Sequence, residues 1–240
     1  MKCEGTYCKA RFKERTNRFL ARVEIQSSTQ PDKLIDAHVP DPGRLKELLL
    51  PGVQVILRKC FNSTRKTKYS LIGIKKGRIW INIDSFITNR LFHEEYTVIS
   101  SLQKYRVLQA EYTFRNSRFD FLMVNVDTHQ KALIEVKSVT LVKNGVGLFP
   151  DAPTTRGVKH VNDLVRAVET EEYQSFMIFI IKRNDVLAFK PNKVIDPNFN
   201  QALNTAIQRG VHVCAVKCFY DPISAQEVKI LDEVPVTWDN

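Results

Sequence analysis

Long hydrophobic runs are missing from this sequence. No stretch approaches 18 uncharged apolar residues, and the longest, 176–181, has the length of a strand. No segment therefore reads as a membrane-spanning helix. The first residues lack the apolar core of a secretory signal, so a cytoplasmic protein with no membrane partner is expected. Cysteine is scarce: Cys3, Cys8, Cys60, Cys214 and Cys218 are odd in number and scattered. That fits reduced thiols better than a disulfide framework. His212, Cys214, Cys218 and the N-terminal pair have the wrong spacing for a CxxC zinc knuckle.

A balance of charge is also missing. The net charge is +10, and its placement is uneven: residues 1–85 hold 18 Lys and Arg against 8 Asp and Glu, whereas 86–240 hold 18 of each. A basic third joined to a neutral remainder suggests a polyanion-binding module attached to something else. The 240 residues suffice for one large domain or two modest ones. The division read from the sequence is 1–85 and 86–240.

The basic third reads as strands over 8–13, 19–25, 34–38, 53–59, 69–74 and 79–83, short, rich in Val and Ile, and separated by turn residues. One helix is expected over 41–50, with Asp41 as N-cap and Pro42 at the first helical position. Such a set suits a small barrel of the OB type. Its stretch 58–69 interleaves Arg58, Lys59, Arg65, Lys66 and Lys68 with Phe61 and Tyr69, offering cations for phosphates and rings for bases. Arg44, at the start of the expected helix, is a further phosphate candidate.

After 83 the period changes. Residues 89–102 place Leu91, Phe92, Val98, Ile99 and Leu102 on one helical face, with Glu95 in its middle. A strand over 107–114, carrying a peripheral Glu111, leads to a hairpin. The hairpin runs Arg118-Phe-Asp-Phe-Leu-Met-Val124, a polar turn, then Ala132-Leu-Ile-Glu-Val-Lys137. Alternation puts Asp120 on one face of its strand and Glu135 with Lys137 on one face of the next. Burying those charges is costly unless they serve one another or an ion. Two carboxylates suit a hard cation such as Mg²⁺ or Mn²⁺, and a lysine beside them can orient water or offset phosphate charge. The loop 138–157 follows and is expected to wall a substrate cleft over the carboxylates. A helix over 155–169 then carries Arg156, Lys159 and His160 at its first turns as phosphate candidates, while Arg166 reads as solvated. The apolar strand 175–181, a helix capped by Asp196 and ending before Gly210, and a strand over 211–216 complete the order.

The Asp-x14-Glu-x-Lys spacing resembles the catalytic core of the PD-(D/E)xK nucleases, with Phe119-Asp120 where that superfamily has Pro-Asp. Five stretches together resemble the sugar fermentation stimulation protein A family. They are His38-Val-Pro-Asp-Pro-Gly-Arg-Leu-Lys-Glu-Leu48, Arg65-Lys-Thr-Lys-Tyr69, Ser117-Arg-Phe-Asp-Phe121, Glu135-Val-Lys-Ser-Val-Thr-Leu141 and Phe149-Pro-Asp-Ala-Pro-Thr-Thr-Arg-Gly-Val-Lys-His160. The likeness spans about residues 9 to 230. It implies an α/β (α+β) protein, an N-terminal OB-fold-like barrel followed by a restriction-endonuclease-like α/β domain. It also implies DNA binding and an association with sugar (maltose) metabolism. By resemblance Asp120, Glu135 and Lys137 match the nuclease motif and Glu95 the helix glutamate, although His93 stands where a smaller or acidic residue is expected. Three readings follow: a metal-dependent nuclease acting on DNA, a non-catalytic DNA-binding regulator on a nuclease-like fold, and a metal-dependent RNA-processing factor.

Overall fold

The structure is a computed structural model that describes residues 1–25, 33–61 and 64–238. Asn62 and Ser63, inside the basic stretch 58–69, lie outside the described residues.

Six strands form first: β1 (Tyr7–Asn17), β2 (Leu20–Ile25), β3 (Lys33–His38), β4 (Gln54–Lys59), β5 (Tyr69–Lys76) and β6 (Ile79–Asn82). They order as β3-β2-β1-β4-β5-β6, and β3 also meets β5 in parallel through His38 and Ser70. That last pairing closes β1–β5 into a barrel, with β6 carried on β5. Alternation fills the barrel, since Ala10 and Phe12 are buried while Lys9, Arg11 and Lys13 are exposed. Val23, Leu57, Leu71 and Ile74 complete its core.

The helix expected over 41–50 is absent. The segment is an irregular plug in which Leu45, at φ 50°, leaves the helical region, and Leu45, Leu48 and Leu49 enter the barrel core. The Arg15 guanidinium takes carbonyls that a helix would use internally, those of Gly43 (2.7 Å), Arg44 (2.7 Å) and Asp41 (3.1 Å). Asp41 caps only the neighbouring Gly43 amide, at 2.7 Å. Local capping signals were thus overridden by burial of three leucines, the usual way propensity loses.

The second unit is a six-stranded sheet ordered β15-β14-β12-β9-β8-β7. Its strands are β7 (Tyr105–Phe114), β8 (Ser117–Asn125), β9 (Lys131–Val139), β12 (Tyr173–Ile181), β14 (His212–Asp221) and β15 (Glu227–Val234). β7, β8 and β9 form an antiparallel meander; β9, β12 and β14 run parallel. Along β12 the side chains of Phe176, Ile178 and Ile180 join a core on one face, and those of Met177, Phe179 and Ile181 a core on the other. Coverage on both faces explains the uninterrupted apolar run. Helices α2 (Thr155–Val168) and α3 (Pro197–Gln208) cover one face and α1 (Thr88–Glu95) the other. The helix expected over 89–102 is therefore shorter. It stops at Glu95 and continues as two 3-10 turns, which leave Val98 37% exposed.

Two features were not foreseen: the edge strand β15, and a small sheet of β10 (Val142–Lys143), β11 (Val146–Phe149) and β13 (Ala188–Pro191). This small sheet fixes the 138–157 loop, which lines a cleft of about 210 Å³ with Asp41, Gly43 and Ser85. The loop is tied to the barrel where the Arg44 amide donates to Asp151 Oδ2 at 2.6 Å. Gly43 sits inside that junction. A Cβ there would lie 2.6 Å from Asp151 Oδ2 and 2.8 Å from Asp41 Oδ1, both held by backbone amides. Gly43→Ala should therefore destabilise the protein by about 1–3 kcal/mol, the usual cost of overpacking. The check is the urea denaturation midpoint; a midpoint equal to wild type would show that the junction yields freely.

Candidate active site

The β8–β9 ladder pairs Val124 with Lys131 through Phe121 with Ile134 and then ends. Where the strands part, the Val136 amide donates to Asp120 Oδ2 at 2.7 Å. A side-chain carboxylate thus takes the place of a strand carbonyl, which pins Asp120 beside Glu135. Asn89, on α1, donates to Asp120 Oδ1 at 2.7 Å. Burial, reinforced by the charge of Glu135, pushes the Asp120 carboxyl up from its usual range, against the pull of the Val136 amide and Asn89.

Glu135 is 2% exposed. Its Oε1 receives the Lys137 ammonium and, at 2.5 Å, His160 Nδ1 from α2. Burial works to raise the Glu135 carboxyl, but the His160 bond and the Lys137 charge outweigh it and hold it low. Arg156 Nε faces His160 Nε2 at 3.4 Å. A guanidinium only donates, so Nε2 is the acceptor and Nδ1 carries the proton given to Glu135. Glu135 Oε2 is buried and has no hydrogen-bond partner among the described residues.

The structure thus gathers Asp120, Glu135 and Lys137, and it corrects several other expectations. Glu95 does not join them. Its Oε1 accepts from the Met1 amine at 2.5 Å and its Oε2 from the Ile230 amide at 2.6 Å, so it stitches α1 to β15. Its place on the apolar face reflects that edge contact. Asn89, two turns earlier on α1, is the helix residue that reaches the centre; an uncharged side chain gave no signal in the sequence. His160 is no surface phosphate ligand but a buried partner of Glu135, 5% exposed. Lys159 is committed to the Asn116 carbonyl, Ser117 Oγ and Asp163. Arg166 is exposed, as its reading as a solvated residue expects, and from the surface it pairs with Asp163 at 2.7 Å. Arg156 remains exposed at the first turn of α2.

Within the barrel, Arg58 pairs with buried Asp84 at 2.7 Å and is structural. Arg65 folds back on Cys60 Sγ (3.0 Å) and Ser70 Oγ (3.2 Å). Lys66 and Lys68 stay exposed, and Lys59 lies 5.5 Å over the ring of Phe61, itself 75% exposed. Arg44 is exposed, but on the plug rather than on a helix. All five cysteines are free, and no helix among the described residues is long and apolar enough to cross a membrane.

These features define a class: an OB-like barrel joined to a restriction-endonuclease-like α/β domain, with a buried Glu and a half-buried Asp and Lys on its central hairpin. The chain matches the SfsA N-terminal OB domain over residues 14–83 and the sugar fermentation stimulation protein RE domain over residues 86–224. It is 42% identical over 229 residues to a sugar fermentation stimulation protein homolog of Clostridium beijerinckii, covering 95% of this chain and 96% of that one. The Clostridium acetobutylicum homolog is 41% identical over 236 residues, 96% and 100% of the two chains. Among solved structures, SfsA of Pyrococcus furiosus in complex with Ca²⁺ is similar with a TM-score of 0.85 at 25% identity, covering 99% of each chain. The chain belongs to the sugar fermentation stimulation protein family.

The depressed Glu135 carboxyl carries a pH signature. A carboxyl held low in the folded state adds stability above its unfolded pKa, and that stability is lost as pH falls through the folded value. In metal-free protein Glu135→Gln should therefore be less stable than wild type at neutral pH, with the gap closing as acid protonates Glu135. Urea melts across an acidic-to-neutral pH series read this directly. A gap that widens toward acid would contradict the assignment.

Proposed function

We propose that this protein is a metal-dependent phosphodiesterase acting on nucleic acid, with DNA as its substrate. The observation that carries the reading is Glu135 Oε2, a buried carboxylate oxygen without a hydrogen-bond partner among the described residues, beside the half-buried carboxylate of Asp120. Hard divalent cations take such oxygens. Among the described residues no group of three or more His, Cys, Asp or Glu gathers into a protein cage. Two carboxylates are nonetheless the complement Mg²⁺ uses when water and substrate phosphate complete its shell, so the residues present fit Mg²⁺ or Mn²⁺. The relative from Pyrococcus furiosus, described with Ca²⁺, supports the same choice of hard cation. When bound, the ion would neutralise phosphate charge and acidify water.

The chain's own residues supply the rest. Asp120 and Glu135 would hold the ion, each oriented by neighbours that fix the carboxylate plane. Lys137, 19% exposed and paired with Glu135, reaches the edge of the centre. There its ammonium positions the attacking water and stabilises charge building on the phosphoryl oxygens. Arg156, exposed on α2 and in contact with His160, would meet a phosphate that approaches the centre along that helix.

Wild-type protein should cleave DNA when supplied with Mg²⁺ or Mn²⁺, and Lys137→Met should slow cleavage by roughly 10²–10³-fold, as for loss of a donor that stabilises transition-state charge. Glu135→Gln should abolish cleavage while DNA affinity survives. A wild-type protein inert toward duplex and single-stranded DNA with either ion would leave the fold to a DNA-binding regulator; cleavage of RNA alone would make it an RNA-processing factor.

His160 has its own expected outcome. Asn can place an N–H where Nδ1 stands, whereas Gln reaches the Nε2 position. Loss of an orienting partner typically weakens metal binding by about 10–100-fold. His160→Ala and His160→Gln should show that loss in Mn²⁺ titrations followed by electron paramagnetic resonance, and His160→Asn should recover most of it. Equal affinity in all four proteins would remove His160 from the centre's design.

A further inference from the structure

Two grooves on the molecule are strongly basic, and they differ in where they lead. One, of about 580 Å³, is lined by Lys59, Lys66, Lys68, Lys33 and Asp36 around Tyr69 and belongs wholly to the barrel. The other, of about 530 Å³, runs between the units: Arg15, Arg18, Arg44 and Lys46 line it from the barrel, Ala152 and Pro153 from the loop before α2. Every charged residue lining the second groove is basic. It shares Pro42 and Gly43 with the cleft that contains Ser138 and Thr140, and Ser138 directly follows Lys137. The far wall of the second groove, Ala152 and Pro153, leads into α2, where Arg156 meets His160 at 3.4 Å and His160 bonds Glu135, so the groove opens toward the helix that flanks the acidic centre.

The fixed and free charges along this groove are clearly divided. Arg15 is spent on the carbonyls of the plug, and Arg18 donates to Pro42 at 2.9 Å. The two nearby carboxylates are engaged as well, Asp41 by the Gly43 amide and Asp151 by the Arg44 amide. The side chains of Arg44 and Lys46 are exposed and form no ion pair or hydrogen bond among the described residues. The cations that shape the groove are used, and those at its mouth are available.

We propose that this inter-unit groove binds the phosphodiester backbone of the DNA strand entering the acidic centre, with Arg44 and Lys46 as its phosphate contacts. The inference rests on the proposed function and adds the route by which substrate arrives. It gives the barrel a task that the outer groove cannot perform. Phosphates held at Arg44 face the segment that leads into α2 and the acidic centre, whereas phosphates held at Lys66 and Lys68 sit on the barrel alone.

The test is salt-dependent anisotropy of a fluorescein-labelled DNA duplex, with a labelled single strand of the same sequence as a second arm, on the full chain. Each phosphate contact adds about 0.9 to the slope of log affinity against log salt. Arg44→Ala with Lys46→Ala should flatten the slope by about 1.8 and weaken binding about thirtyfold at about 0.15 M salt. The exchange Arg44→Lys with Lys46→Arg keeps both charges and should stay within about twofold of wild type. It separates charge from any disturbance of the plug. Wild-type affinity in the double alanine variant, or an exchange variant as weak as the double alanine one, would overturn the groove and leave the nuclease reading standing. A wild-type protein that binds neither DNA would overturn both.

Discussion

A carboxylate sealed inside a sheet is the constraint on which the second unit depends. Glu135 lies between two hydrophobic layers, where an unpaired charge would be forced neutral or would unfold its surroundings. Its ionised state is kept by His160 and Lys137, and each must be delivered accurately. Lys137 comes from the same strand two residues on, so the pleat suffices. His160 comes from α2, whose rotation is fixed elsewhere. Lys159 and Asp163, one turn apart, close on Ser117 at the start of β8. With that lock made, the next residue along the helix points under Glu135. The chain of dependence runs from a buried Ser–Asp pair closed by Lys159, through helix register, to the orientation of one oxygen.

The barrel is held to this centre by charges that are equally buried. Lys182, directly after β12 and 1% exposed, reaches the Asp84 carbonyl at 3.3 Å and Asn82 Oδ1 at 3.5 Å. Burial drives its pKa down, while Asp84 and Asp41 work against that shift. Asp84 in turn pairs with Arg58. Removing any one member leaves another charge without a partner in a dry place, so the joint resists partial opening. Together with the Arg44–Asp151 bond, it makes the barrel a fixed wall of the cleft rather than a tethered accessory.

What the sequence disclosed follows from the range of the forces involved. The six barrel strands, the hairpin and the α2 and α3 helices were legible because periodicity and end signals act locally: Thr154 and Asp196 cap their helices through Gly157 and Phe199 amides. Asp120, Glu135 and Lys137 were legible because a hairpin turns sequence spacing into proximity. The failures share a cause. The 41–50 helix had good caps but lost to Arg15, a residue 26 positions before its cap. Glu95 looked anomalous on its helix, and the anomaly was real, yet its partners were the Met1 amine and a strand that the sequence did not announce. Asn89 and the tautomer-setting contact of Arg156 with His160 are visible only once distant elements meet.

The same contrast corrects any inference from net charge. The excess of positive charge in residues 1–85 does not all face solvent, for three of its arginines are architectural. Arg15 grips carbonyls, Arg58 answers Asp84, and Arg65 returns to Cys60 and Ser70. A planar guanidinium with five donors suits such internal forks, and a lysine in the same place would satisfy fewer acceptors. Left at the surface are mainly lysines, compact point charges that attract phosphate without reading base edges. An exposed Phe61 beneath Lys59 adds an apolar face of the kind on which any base can stack. In the proposed function, the barrel therefore supplies attraction and alignment, whereas discrimination between substrates falls to the shape of the cleft it shares with the 138–157 loop.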